Sequence, residues 1–209
     1  MKFRFYAIKL SLLMILIFLA QSIFTGFTDF FVLNQLSWQQ PWRFATSVFL
    51  HGSLAHLLLN IFALFLFGTI LEGLVSSKRF LFVFFTTGIL ANIISVNFYD
   101  SSLGASGAIF GILGALIIIR PFTVTWISGI PMPIFIAGTI WAAADILGAY
   151  GFFTGNPLNN TGNIAHLSGM FFGILFGLLF RKKLRIKRKF NVSIDENEVR
   201  SWERSWMKS

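Results

Sequence analysis

Cysteine is absent from this 209-residue chain, which excludes a disulfide framework and any thiolate metal site. Charge is scarce too. Asp, Glu, Lys and Arg make up 12% of residues, about half the roughly 25% of an ordinary soluble domain. Acids are the rarer sign, 8 against 17 basic residues, so a pair of intramembrane catalytic aspartates has little to draw on. Asp145 is the one aspartate within an apolar segment, and Glu72 lies at the inner end of its own. The metalloprotease pattern HExxH does not occur, and His51 and His56, five apart, would point about 140° away from each other on an ideal helix. The elbow GxSxG also fails, because position 108 is Ala and no soluble sheet exists to carry it. No metal and no cofactor is expected. What is abundant is apolar: 56% hydrophobic residues with 27 Phe, and a mean hydropathy of +0.75. That is a multi-span membrane composition, and it makes nucleic acid a poor account of the +9 net charge.

Six apolar segments can be drawn, at roughly 10–27, 54–74, 80–98, Ser106–Ile119, 130–147 and 164–180. All but the fourth approach the ~20 residues of a membrane helix. The fourth, with 14 residues, reaches only about 21 Å against a hydrocarbon core of roughly 30 Å. With the N-terminus inside, every Lys and Arg except Arg43 falls on the inner side, as the positive-inside rule demands. The expected fold is an all-α polytopic bundle of six transmembrane helices, N-in and C-in. It occupies 1–180, and 181–209 forms a basic cytoplasmic tail. The first segment is read as a span rather than a cleaved leader, being longer than a ~7–15-residue leader core. Phe30, Phe31, Trp38 and Trp42 suit a segment in the outer interface. The run RKKLRIKRK reads as a stop-transfer anchor that also attracts anionic membrane lipids. Beyond it, Ser193 and Glu196 form a capping-box pattern ahead of Val199, Trp202 and Trp206, a short surface helix.

Polar residues inside the apolar segments carry the chemistry. Ser106 opens the short segment, where a serine is a favoured helix cap and Gly107, Gly111 and Ala115 give the small-residue spacing of tight packing. Because that segment is short, Leu103-Gly104-Ala105 must descend into the membrane as irregular backbone, which is tolerated only where protein buries it or a wet cavity receives it. Ser106 then stands at the floor of an internal aqueous pocket. His166 lies at a comparable depth in the sixth segment, with Gly169, Gly173 and Gly177 on its face. It is either a structural histidine or the base that a serine hydroxyl needs to become a nucleophile. His56 and Asn60, at i and i+4 near the outer end of the second segment, are either interhelical packing bonds or donors to a developing oxyanion. Asp145 can orient His166 as a third member, but an interfacial acid or a local hydrogen bond accounts for it as well.

Together these residues resemble the rhomboid intramembrane serine proteases. The resemblance rests on Trp42-Arg43 in the first outer loop, HxxxN at His56 and Asn60, GxSG as Gly104-Ala105-Ser106-Gly107, and AHxxGxxxG from Ala165 to Gly173. It implies a six-helix serine endopeptidase that cleaves in or beside the transmembrane segments of membrane-protein substrates. Ser106 would be the nucleophile and His166 the base of a two-residue dyad, with His56 and Asn60 as oxyanion donors. Phe110 falls where the family often has an aromatic residue that packs on the histidine, and Glu72 matches a structural acid. The resemblance implies no cofactor, and the setting expected is the plasma (inner) membrane of a bacterium. The contrasting expectation is a non-catalytic rhomboid-like protein that binds membrane clients or aids their quality control.

Reporter fusions test the topology. Fusions at Ser77 and after Arg181 are expected to read cytoplasmic, and those at Trp38 and Asn159 external; an external C-terminus would overturn the six-span arrangement.

Overall fold

The computed structural model describes residues 4–127, 129–156, 158, 162–187 and 196–206. Its helices are α1 (Tyr6–Ile23), α2 (Phe27–Phe31), α3 (Arg43–Thr46), α4 (Leu54–Val75), α5 (Ser77–Ser95), α6 (Ser106–Ile119), α7 (Ile134–Phe153), α8 (Asn163–Lys187) and α9 (Glu196–Trp206). One π-helical turn, Leu64–Gly68, interrupts α4. The strands are short. β1 (Leu33–Asn34) pairs antiparallel with β2 (Ser101–Ser102), and β3 (Val124–Ile127) pairs with β4 (Ile130–Pro133). Helices α1, α4, α5, α7 and α8 are long and apolar enough to cross a membrane, and α6 is shorter. The chain is therefore an integral, multi-pass, all-α membrane protein. Its large apolar side chains at Leu16, Leu59 and Leu179 are exposed, as lipid-facing residues are.

Boundaries differ from the sequence expectation where local chemistry outweighs hydropathy. The fifth helix was expected over 130–147 and runs over Ile134–Phe153. Pro131 and Pro133 have no N–H to give a helix, so this stretch folds back as β4, with Val124 opposite Pro133 and Ile127 opposite Ile130. At the other end the helix continues through Gly148 and Gly151, because packing needs small residues there: a side chain at 148 would strike Asn163, and one at 151 the carbonyl of Asn156. Helix α1 begins four residues before the expected start. The buried Glu72 carboxylate accepts from the N–H groups of Arg4 (3.3 Å) and Ala7 (3.2 Å), which supplies partners to a helix start and suits its positive end. Helix α5 stops at Ser95, short of the expected 98. The last span runs on through Arg181 into the first basic residues without a break. Glu196–Trp206 is helical, while Ser193, expected to cap it, lies outside the described residues.

Helix α6 is the centre of the bundle. Every residue from Gly107 to Leu116 is buried, the pattern of a helix surrounded on all sides. It packs on α4, α5, α7 and most closely on α8. A Cβ added at Gly169 would overlap the Gly107 carbonyl, one at Gly173 the Gly111 carbonyl, and one at Gly114 the Met170 carbonyl. The two helices thus touch backbone to backbone, which only small residues allow.

Substitution at these contacts is expected to be costly. Gly173→Ala must push the two backbones apart, so unfolding in detergent should show a loss of at least about 2 kcal/mol, in the upper part of the overpacking range. Gly73→Ala meets nothing within 4 Å and should be neutral or stabilising by up to about 1 kcal/mol. Equal melting temperatures for the two variants would show that the α6–α8 contact is looser than described.

Candidate active site

The chain reaches Ser106 through a tethered descent. Ser102 pairs with Leu33 across the short β1–β2 ladder, and the Gly104 N–H donates to the Ser47 carbonyl at 2.9 Å. Gly104 turns with φ +121°, a conformation that L side chains rarely adopt. Ala105 is fully buried, so this irregular backbone is covered by protein. Ser106 is then the first residue of α6, where the N–H groups of the first turn have no intrahelical acceptor and present a positive end.

Three helices meet at this point. Ser106 Oγ, on α6, lies 2.7 Å from His166 Nε2 on α8. The opposite ring nitrogen, Nδ1, lies 3.1 and 3.2 Å from the two carboxylate oxygens of Asp145 on α7. His166 is 8% and Asp145 5% exposed. Phe110, one turn after Ser106, stacks on the imidazole with ring centroids 4.3 Å apart and planes 10° from parallel. A hydroxyl hydrogen-bonded to a neutral imidazole nitrogen can pass its proton to the ring as the oxygen attacks an electrophile.

His56 and Asn60 take different places. The His56 ring covers Gly104, two residues upstream of Ser106: a Cβ there would come within 2.8 Å of Cε1 and 2.9 Å of Nε2. Asn60, 5% exposed, donates from Nδ2 to the His56 carbonyl at 2.9 Å. That bond uses one of its two amide hydrogens. Among the described residues, neither side chain bonds to Ser106 or His166. No three of His, Cys, Asp and Glu gather there as a metal-binding group.

Two sequence readings change. Asp145 is neither an interfacial acid nor bonded locally, for its carboxylate faces His166 across helices. An acid buried in an apolar span signals a buried partner, yet hydropathy does not tell which neighbour its face meets. His51 does not point away from His56. It precedes α4 rather than belonging to it, and the two rings meet edge to face with centroids 5.1 Å apart. Burial, helped by the nearby His56, pushes the His51 pKa down to about 4, so the ring is neutral at physiological pH. Its Nδ1–H donates to the Phe49 carbonyl at 3.2 Å. Tyr99 was also missed: its hydroxyl accepts from the Ile164 N–H at 3.1 Å, two residues from His166.

The loop that leads from α2 to α4 is stapled by Arg43, 4% exposed. Its Nη1 donates to the carbonyls of Asp29 and Val32, both at 2.8 Å, and its Nε to Gln40 at 2.6 Å. Trp42 stacks on Phe30 at 5.9 Å. Residues 38–183, which hold Trp42, Arg43 and every residue of the site, match the Rhomboid domain. The chain belongs to the rhomboid family. Rhomboid protease GluP of Bacillus subtilis (strain 168) is 38% identical over 133 residues, 63% of this chain and 25% of GluP. The mitochondrial presenilin-associated rhomboid-like protein of Homo sapiens is 31% identical over 134 residues, 61% of this chain and 35% of that protein. The mitochondrial RHOMBOID-like protein 6 of Arabidopsis thaliana is 32% identical over 93 residues, 41% of this rhomboid and 30% of its relative. Each match spans 35% or less of the relative's own length.

The packing of His56 on Gly104 makes a measurable forecast for this rhomboid. Gly104→Ala would force alanine to φ +121°, at a cost of about 1–3 kcal/mol in backbone strain, and would also push the His56 ring aside. Gly155→Ala also occupies a positive φ, +75°, but has nothing within 4 Å. The melting temperature in detergent should fall further for Gly104→Ala, with a shifted His56 NMR resonance; equal losses and an unmoved resonance would contradict the contact.

Proposed function

We propose that this rhomboid is an intramembrane serine endopeptidase, with Ser106 as nucleophile and His166 as general base. The observation that carries the reading is the 2.7 Å approach of Ser106 Oγ to His166 Nε2 inside a bundle of membrane helices. Ser106 Oγ attacks the scissile carbonyl carbon while its proton passes to Nε2. The carbonyl oxygen becomes an oxyanion beside the first-turn N–H groups of α6. The His56 ring, which lies over Gly104, and the second amide hydrogen of Asn60 are the further donors of this reading. His166 then returns the proton to the departing amine, and water, activated by the same imidazole, releases the acyl group from Ser106. No cofactor takes part.

Substrates of this reading are membrane proteins cut in or beside a transmembrane segment at the level of the outer leaflet. With N- and C-termini cytoplasmic, Ser106 begins a helix too short to span and so lies below the outer surface. A helical peptide bond has its carbonyl occupied by the i+4 N–H and is shielded, so segments with small or helix-breaking residues near the outer edge are preferred. The 38% identity to a Bacillus protease, above the 31% to the human mitochondrial relative, supports a bacterial plasma membrane as the location.

Ser106→Ala and His166→Ala are each expected to abolish cleavage of a co-expressed membrane substrate, and the double variant to be no worse, because nucleophile and base act as one unit. A fluorophosphonate should label wild type and not Ser106→Ala; full activity in Ser106→Ala would falsify the reading. Asn60→Ala and His56→Ala should lower kcat by about 10²–10³-fold with little change in KM if they serve as oxyanion donors. Normal turnover with a lower melting temperature would assign them to packing instead, where an interhelical bond averages about 0.6 kcal/mol.

A further inference from the structure

We propose that Asp145 is a positioning residue that holds His166 in one tautomer and one ring orientation, so that the site is a hydrogen-bonded series of three side chains rather than two. Two constraints act on the imidazole, and they are not redundant. Stacking on Phe110 at 4.3 Å and 10° fixes the plane of the ring. It is indifferent to a half-turn about the Cβ–Cγ bond, which would exchange Nε2 for Cε1 opposite Ser106. The Asp145 carboxylate removes that freedom, since both of its oxygens lie 3.1–3.2 Å from Nδ1 and an ionised carboxylate can only accept. Nδ1 must therefore carry the proton, and Nε2 is left as the acceptor 2.7 Å from Ser106 Oγ.

The same geometry suits the charged state of the ring. When Nε2 takes the serine proton the ring becomes a cation, with the carboxylate already in place at 3.1 Å in a site largely closed to water. Opposite charges at that distance attract far more strongly there than in bulk solvent. The proton balance is simple: Oγ–H breaks, Nε2–H forms, Nδ1–H stays on His166, and Asp145 remains ionised throughout. Position argues the same way. Asp145 is 5% exposed in a span whose lipid-facing residues are apolar, and an acid at such depth is costly. Among the described residues its carboxylate has His166 as its hydrogen-bond partner, so the cost is met for the imidazole. An inert tie between α7 and α8 would need neither a chosen ring nitrogen nor a hydroxyl on the far side.

The test has one arm that does not depend on the protease reading and one that rests on it. In ¹⁵N-histidine-labelled full-length protein in detergent at neutral pH, the His166 signal, assigned by its loss in His166→Gln, is expected to show Nδ1 protonated and Nε2 bare. A wild-type ring protonated on Nε2 overturns the proposal, whether or not any variant folds. In Asp145→Asn, whose amide can donate to Nδ1, and in Asp145→Ala, the ring should move to the other tautomer or to a mixture; an unchanged signal in both overturns it. In the kinetic arm, Asp145→Asn should lower kcat by up to about 10⁴-fold, the scale seen when the acid of a serine-protease triad is neutralised, with KM within about threefold. A kcat within threefold of wild type, in a protein that fluorophosphonate labels at Ser106, overturns the kinetic role. Absence of labelling in wild type instead counts against the protease reading and leaves the tautomer result to decide the role of Asp145.

Discussion

Between α6 and α8 there is no room for a side chain. Gly107 and Gly111 on one helix face Gly169 and Gly173 on the other so closely that an added Cβ would overlap a carbonyl. In lipid, where burial of apolar surface gives helices little reason to associate, such contact is what holds them. Everything at the site depends on it. Ser106 and His166 sit one residue before and three residues before these glycines, so the spacing of the two backbones sets the 2.7 Å between hydroxyl and imidazole. A methyl group at either contact acts on that distance directly.

Around this pair, the rest of the molecule disposes of polar groups that a membrane interior cannot solvate. Several of them find a specific partner across elements. Glu72 takes the N–H groups at the start of α1 and the Ser77 hydroxyl at 2.6 Å. Asn92 holds the Phe44 carbonyl at 2.8 Å and the Ser47 hydroxyl at 3.0 Å, and Ser47 in turn receives the Gly104 N–H. A continuous series of bonds thus runs from α5 through Ser47 to the irregular backbone that delivers Ser106. Arg43 belongs to the same economy. Its guanidinium donates to backbone carbonyls of the loop it staples.

Much of this was legible in the residues. Apolar runs located the spans to within a few residues, because the bilayer imposes length and composition on any helix that crosses it. The short fourth run, opening on Ser106, came out with the same bounds in the structure. The errors share a cause. Hydropathy placed the start of the fifth span among prolines that a hairpin uses, and a helical wheel assigned His51 to a helix it does not join. Asp145 was left with three readings, an interfacial acid, a local bond or an orienting partner of His166, because its partner stands on another element. Periodicity reports which face of a helix is apolar, and in a bundle buried on several sides it loses even that.

The sequence by itself determined that the chain lives in a membrane, where its helices begin and end to within about two turns, and which side chains are too polar to be there without a reason. Those are consequences of composition and spacing, which act locally along the chain. Only the tertiary structure decided which of these residues meet: the imidazole between hydroxyl and carboxylate, Asn60 turned to its own helix, and His51 edge-on to His56. The physical reason is that helix rotation is set by packing, here by glycine against carbonyl, and a rotation of one residue on α7 or α8 would carry Asp145 or His166 about 100° around its axis and out of reach.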